Sequence, residues 1–208
     1  MRLLAILPML LLLVTQTAAQ TAGSSLRGTL LVAGPQMAGS FFAETVILVV
    51  QNTPDGSLGV TVNRPTDLTV DDVLPDEFGA PARGYTVYAG GPVGLRRLSI
   101  LVRSDDGRSD LDQILPHVAF TLSAPLFDAV LARGPDAGDV HVIAGVAGWD
   151  SGQLEHEIAN GDWYIVPANE DLIFSDKPAD LWQQLIDRLD GNEPNQKRRP
   201  RQSNSLAL

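Results

Sequence analysis

The stretch G-V-A-G-W-D-S-G-Q-L-E-H-E-I-A-N-G-D-W, Gly145 to Trp163, decides how the chain is read. Before it, Asp139 to Ala147 alternates as a strand, with Val140, Val142, Ala144 and Val146 on one face. His141, Ile143, Gly145 and Ala147 make the other face, which is also largely apolar, so the strand is expected to be central and covered on both sides. Gly148 to Gly152 breaks the alternation. Asp150 reads as the N-cap of a short helix, with Gln153 three residues on to return the capping bond. The helix spans Gln153 to Ala159, burying Leu154 and Ile158, and Asn160-Gly161 stops it. Trp163 to Val166 is the next strand. Free N–H groups at the helix start are suited to an anion or a carbonyl. Two readings of the stretch stand side by side. In one, the glycines shape a turn and both Trp fill core. In the other, Trp149 walls a groove in which Gln153 and Glu157 are polar contacts.

Working outward, Gly28 to Ala33 reads as a strand, and the β-branched run Thr45 to Val50 as a buried strand. Thr53-Pro54-Asp55-Gly56 is a turn from which Leu58 to Val62 pairs back, and Pro65 closes that strand. Thr69 to Leu74 is a short helix, residues 75–84 a loop, Tyr85 to Ala89 a strand and Gly90 to Val93 a sharp turn. Leu98 to Arg103 and His117 to Leu122 are strands flanking an acidic loop at 105–110. Ser123 caps a helix over Ala124 to Ala132, ahead of Gly134. Asn169 to Phe174 is a loop or turn. Pro178 to Leu189 is an amphipathic helix ended by Gly191. Strands outnumber helices and the helices interrupt them irregularly, which gives an α+β domain rather than regular βαβ units.

Residues 1–19 read as a secretory signal: Arg2, an apolar run from Leu3 to Val14, and Thr17-Ala18-Ala19 before Gln20. The run is shorter than the roughly 20 residues of a membrane span. A periplasmic or secreted protein is expected, with no membrane span once the signal is removed; a cytoplasmic location follows if the segment does not act as a signal. Residues 20–190 form one domain, and 191–208 a disordered basic tail. The chain has no Cys, so thiol nucleophiles and Fe–S clusters are excluded. Its net charge is −10. Setting aside Arg2 and the tail's Lys197, Arg198, Arg199, Arg201 and Glu193 leaves 10 basic against 24 acidic residues, near −14. Such a surface repels phosphate backbones, so direct nucleic-acid binding is disfavoured.

Standard catalytic patterns are absent. No phosphate-binding Gly-rich loop and no H-E-x-x-H occur, and Ser151 stands one position late for G-x-S-x-G. His117, His141 and His156 have no zinc-site spacing. No metal and no cofactor is expected. Paired carboxylates such as Asp71-Asp72 and Glu155 with Glu157 arise by chance in so acidic a chain.

Four separated pieces carry a resemblance: G-T-L-L-V-A-G-P from Gly28 with Met37, Phe42 and Val46; L-G-V-T-V-N-R-P from Leu58; G-G-P-V from Gly90; and A-G-W-x-x-G-Q-L-E-x-E-I from Ala147, followed by Trp163 and Asp180-Leu181-Trp182. Together they resemble the YqgE/AlgH family over residues 26–190. The resemblance implies an α+β fold, a mixed or antiparallel split sheet curled into a partial barrel with flanking helices. It implies no established reaction; the alginate-regulator label on some members implies a regulatory role. The matching positions Asn63, Arg64, Pro65, Gly90, Gly91, Pro92, Gly148, Trp149, Gly152, Gln153 and Glu157 are expected around one groove that takes a small ligand or a protein partner. The chain departs from the family pattern at Gly39-Ser40, where Asp-Pro is frequent, at Val50-Gln51, where Glu-His is frequent, and at Val102, where His is frequent. Most members resemble cytoplasmic proteins beginning near Leu26. The expected function is therefore a non-catalytic binding or regulatory module. One alternative is a hydrolase-like enzyme using Glu157 or Asp150 as acid/base; another is a transcription-related regulator.

Overall fold

The computed structural model describes residues 25–74, 84–103, 111–132 and 140–191. The expected loop at 75–84 apart from Gly84, the acidic loop, Gly134, the signal and the tail beyond Gly191 lie outside the described residues. The elements are β1 Thr29–Ala33, β2 Val46–Thr53, β3 Gly56–Thr61, β4 Pro65–Thr69, α1 Val70–Val73, β5 Thr86–Ala89, β6 Val93–Arg103, β7 Asp112–Leu115, β8 Val118–Thr121, α2 Ala124–Leu131, β9 Val140–Asp150, α3 Gln153–Ala159, β10 Trp163–Pro167, α4 Glu170–Ile173 and α5 Leu181–Leu189.

The strands form one sheet in the order β10-β1-β2-β3-β9-β6-β8-β7, with β5 joining β9 and β4 joining β5. Its pairs are antiparallel except β5 with β9, which is parallel. β9 is the strand on which the two halves meet. Its first part pairs with β5 and β6, and Ala147 to Asp150 pairs with β3. The sheet curls until its last strand returns to its start. Arg27, just before β1, bonds the Asp112 carboxylate on β7, and its Nε–H reaches the Val50 carbonyl on β2 at 3.0 Å. A Cβ placed on Gly28 would lie 3.1 Å from the Ile114 carbonyl, so β1 and β7 are nearly in contact at that end.

Alternation places side chains in layers. Leu30, Leu48 and Val60 from one half meet Leu101, Phe120 and Ile143 from the other inside the curl, with Leu181, Leu185 and Ile186 of α5 closing over them. Leu31, Ile47 and Val49 face outward from β1 and β2 and are covered by Leu154 of α3 and by Trp149 and Trp163. Ile100, Val102 and Val142 face outward from the other half, under Val70, Val130 and Leu131. Strands apolar on both faces are thus covered on both faces, as their sequences require. Helices are few and short beside the sheet, so the α+β description holds only coarsely: the molecule is mostly a curled half-barrel.

Several local expectations are corrected. β9 does not break at Gly148 but runs to Asp150, because Gly148 to Asp150 pairs with Gly56 to Leu58. The N-cap of α3 is Gly152, at φ +74°, not Asp150; Asp150 donates its N–H to Gln153 Oε1 at 3.0 Å. β3 ends at Thr61, ahead of Asn63-Arg64-Pro65 as expected, but Pro65 also begins a further strand, β4, where its missing donor is harmless on a strand paired with β5 alone. β7 covers residues for which the sequence predicts no element, and α4 stands where a loop or turn is expected at Asn169 to Phe174; Asn169 caps α4 by accepting the Leu172 N–H. Ser123 precedes α2 as expected but makes no side-chain capping bond.

Candidate functional site

Gly152 takes a left-handed backbone and turns the chain from β9 straight into α3. Gln153 and Glu157 then stand one helical turn apart on the side facing β9. Gln153 Nε2–H donates to Glu157 Oε1 at 2.8 Å. The other oxygen, Glu157 Oε2, accepts both indole N–H groups, from Trp149 at 2.8 Å and from Trp163 at 2.8 Å. The two indoles meet edge to face, with centroids 6.0 Å apart, and are 5% and 2% exposed. A buried indole needs an acceptor; here one carboxylate serves two. Phe42 stacks on Trp149 and meets Trp163 edge-on, at 6.5 and 5.6 Å between centroids.

The N-R-P residues hold the loop that carries Phe42. Asn63, nearly buried, accepts the Val46 N–H at 2.8 Å and donates to the Glu44 carbonyl at 2.9 Å. Arg64 forks across the loop, with Nη1–H on the Phe41 carbonyl at 2.8 Å and Nη2–H on the Ala43 carbonyl at 2.7 Å. Its guanidinium also lies over the Phe41 ring, 5.5 Å from the centroid. Burial lowers the Arg64 pKa, an effect the nearby Glu44 carboxylate offsets only in part; an arginine remains charged at neutral pH through such a shift. Between these anchors Glu44 sits at φ +58°, an uncommon conformation for a residue with a side chain. Pro65 is exposed and pairs with Tyr88.

The G-G-P residues form a tight crossing. The Gly90 carbonyl accepts from the Thr61 N–H at 2.9 Å and from its hydroxyl at 3.1 Å, and the Gly90 N–H reaches the Ala144 carbonyl at 2.9 Å. A Cβ on Gly91 would lie 2.2 Å from the Val146 backbone carbon, so only glycine lets the turn lie against β9. Pro92 is exposed beside it.

The predicted positions thus divide. Trp149, Gln153 and Glu157 form one polar chain, continued through Phe42. Asn63 and Arg64 grip the same 41–46 segment from the other side. Gly90, Gly91 and Pro92 sit at the β5–β6 crossing and bond to neither group. Gly148 and Gly152 are exposed, with no atom within 4 Å of an added Cβ. Two clefts, one lined by Val50, Leu58 and Phe120 among others and one by Arg103, Phe174 and Lys177, contain none of these residues. Sequence reasoning missed Phe41 and Glu44. The available signal was a Phe-Phe pair in a Gly/Ser-flanked turn, an unusual place for two large rings. Of the departures from the family pattern, Val50 and Val102 are buried core, and Gly39 faces open space. Among the described residues no three His, Asp or Glu side chains gather closely enough to hold a metal ion.

A family model described as AlgH-like matches residues 30–194. The chain belongs to the AlgH-like family. A UPF0301 protein of Methylococcus capsulatus is 35% identical over 162 residues, covering 76% of this chain and 88% of its own length. Another, of Streptomyces coelicolor, is 37% identical over 179 residues, covering 83% and 91%. The solution structure of the AlgH protein from Pseudomonas aeruginosa matches with a TM-score of 0.67 at 30% identity, covering 83% of this chain and 92% of that one. A crystal structure of DIP2367 from Corynebacterium diphtheriae matches with a TM-score of 0.62 at 27% identity, covering 77% and 85%. The two solved structures share the fold of this chain, and no specific activity is established for the family.

Proposed function

We propose that the protein is a non-catalytic binding module that recognises a protein partner through the 38–45 loop, with Phe41 as its contact residue. The observation that carries this reading is convergence. Asn63, Arg64, Trp149, Trp163 and, through the indoles, Glu157 and Gln153 all fix this one loop, while Phe41 at its tip stays 48% exposed. A rigid scaffold presenting an aromatic on a loop is a common form of recognition element. Both oxygens of Glu157 accept bonds from side chains that hold the fold, which argues against its use as an acid or base; Asp150 is exposed, and among the described residues its carboxylate makes no hydrogen bond or ion pair. The acidic surface argues against a DNA-contacting regulator.

The test is photocrosslinking in cells from a benzoylphenylalanine placed at Phe41, with Arg188, exposed on α5, as the comparison site. The expected result is a discrete adduct from position 41 that Arg64→Ala abolishes. Absence of an adduct, or one equally strong from position 188, sinks the reading.

We further propose that this member acts outside the cytoplasm, on the strength of residues 1–19. Fractionation with N-terminal sequencing tests it. A periplasmic product starting near Gln20 supports export, and a cytoplasmic one starting at Met1 or near Leu26 refutes it.

A further inference from the structure

We propose that the open seam of the curled sheet is a second site, which binds a small neutral amphiphile. The seam exists because the half-barrel does not close by hydrogen-bonded pairing there: β7 ends the strand path, β2 pairs with β1 only over Val46 to Leu48 so that its later residues keep β3 alone as a neighbour, and Arg27 bridges the gap between them. β2 carries a bulge between Val49 and Gln51 at this place. Bulges bend a strand away from its partners and recur beside binding sites. The space left between the end of β2 and the β7–β8 side is a cleft of about 320 Å³. That lies at the lower end of the volumes small-molecule sites have, in the mouth of a barrel-like fold, where such sites recur.

The lining sets the chemistry. Val50 and Leu58 form one wall, Phe120 and Leu126 the other. Val50 and Phe120 are buried side chains of paired strands, so these walls exist before any ligand arrives. Gln51, Thr121 and Ser123 line the same cleft. The Gln51 amide and the Ser123 hydroxyl make no side-chain hydrogen bond among the described residues, and each can donate and accept. The charged group in the lining, Asp112, is matched by Arg27. Among the described lining residues the cleft therefore offers no uncompensated charge, in a chain of net charge −10. Among those residues an anion finds no free cation, and a cation no free carboxylate. An uncharged molecule with an aromatic or alkyl body and one hydrogen-bonding end satisfies both the walls and the polar groups. The site is separate from the Phe41 loop and shares no residue with it.

The experiment uses the full chain and N-phenyl-1-naphthylamine, a neutral aromatic with one N–H, followed by its fluorescence. Wild type is expected to show saturable one-site binding, unchanged between low and high salt. Gln51→Trp fills the cleft from an exposed position and Leu126→Trp fills it from the opposite wall. Each is expected to weaken binding by about tenfold or more with melting unchanged. Phe41→Ala is expected to bind as wild type. Non-saturable fluorescence, or binding that survives both tryptophan substitutions, overturns the assignment. A salt-dependent affinity overturns the neutral class of ligand.

Discussion

Replacing Glu157 by Ala removes the acceptor of two indole N–H groups at once. Trp149 and Trp163 are 5% and 2% exposed, and Glu157 Oε2 is the acceptor of both at 2.8 Å. Each buried donor left without a partner costs about 1–3 kcal/mol, so the pair costs about 2–6 kcal/mol. For a domain of this size each kcal/mol lowers Tm by about 2–4 °C, and the variant is expected to melt well over 4 °C below wild type. Glu157→Gln is milder. Its single amide oxygen can still accept both indoles, but its NH₂ then faces the Gln153 amide nitrogen, and turning Gln153 over would abandon the Asp150 N–H. The assay is urea unfolding followed by tryptophan fluorescence, which reports the same indoles. If Glu157→Ala loses less than about 1 kcal/mol, the carboxylate is not the hub of the cluster and the case for a purely positioning role falls. A double-mutant cycle with Trp163→Phe separates the indole bond from general packing, since the cycle isolates the pairwise term.

Arg64→Lys is expected to fail as a replacement, because an ammonium cannot fork to the Phe41 and Ala43 carbonyls; hydrogen exchange of residues 41–45 should rise as it does in Arg64→Ala. Gly91→Ala drives a Cβ into the β9 backbone and is expected to cost more than about 4 kcal/mol, or to abolish soluble expression. Gly148→Ala, with no atom within 4 Å of the new Cβ, should stay within about 1 kcal/mol by the same unfolding measurement. The Asp72 carboxyl is held below its ordinary value, first by the Thr69 N–H and then by the Thr69 hydroxyl. A lowered folded pKa means that the cap's contribution is present above the unfolded carboxylate pKa and is lost as pH falls through the folded one. NMR titration should place its midpoint below that of the unfolded chain, and a midpoint above it would refute the cap.

Much of the sheet was legible because its strands are apolar on both faces. Leu30 to Ala33 and Val46 to Val50 admit no other placement than a covered centre. β4 and β7 were not legible: Pro65 to Thr69 and Asp112 to Leu115 are short and polar at about half their positions; β4 pairs only with the later β5, and β7 pairs with β8 across Pro116-His117 with its register shifted between Gln113 and Leu115. The end of β9 was misread because Gly148 and Asp150 are poor strand formers locally. Pairing with β3 overrides their preference. In the candidate site, Trp149, Gln153 and Glu157 were legible as a cluster from helical spacing, and the N-R-P residues from the family resemblance. The direction of their bonds was not. Arg64 has the chemistry to clamp an anion, and only the fold reveals that two backbone carbonyls occupy its fork. Phe41 escaped notice because exposure is a tertiary property that no local pattern encodes.

The strand order also dictates when this protein can fold. β1 finds its outer partner only in β10, more than 120 residues later on the chain, and the two halves of the sheet are joined by β9. During synthesis the amino-terminal strands emerge with their edges unsatisfied and can close into hairpins, but no complete layer forms until residue 167 has left the ribosome. Such non-local pairing makes folding slow. It also leaves β-branched edges open to the wrong partners in the meantime. For a chain that is threaded unfolded through a membrane the delay is an advantage, because nothing needs to be unwound. For a chain that folds in the compartment where it is made, the same order of strands is a hazard that chaperones must cover.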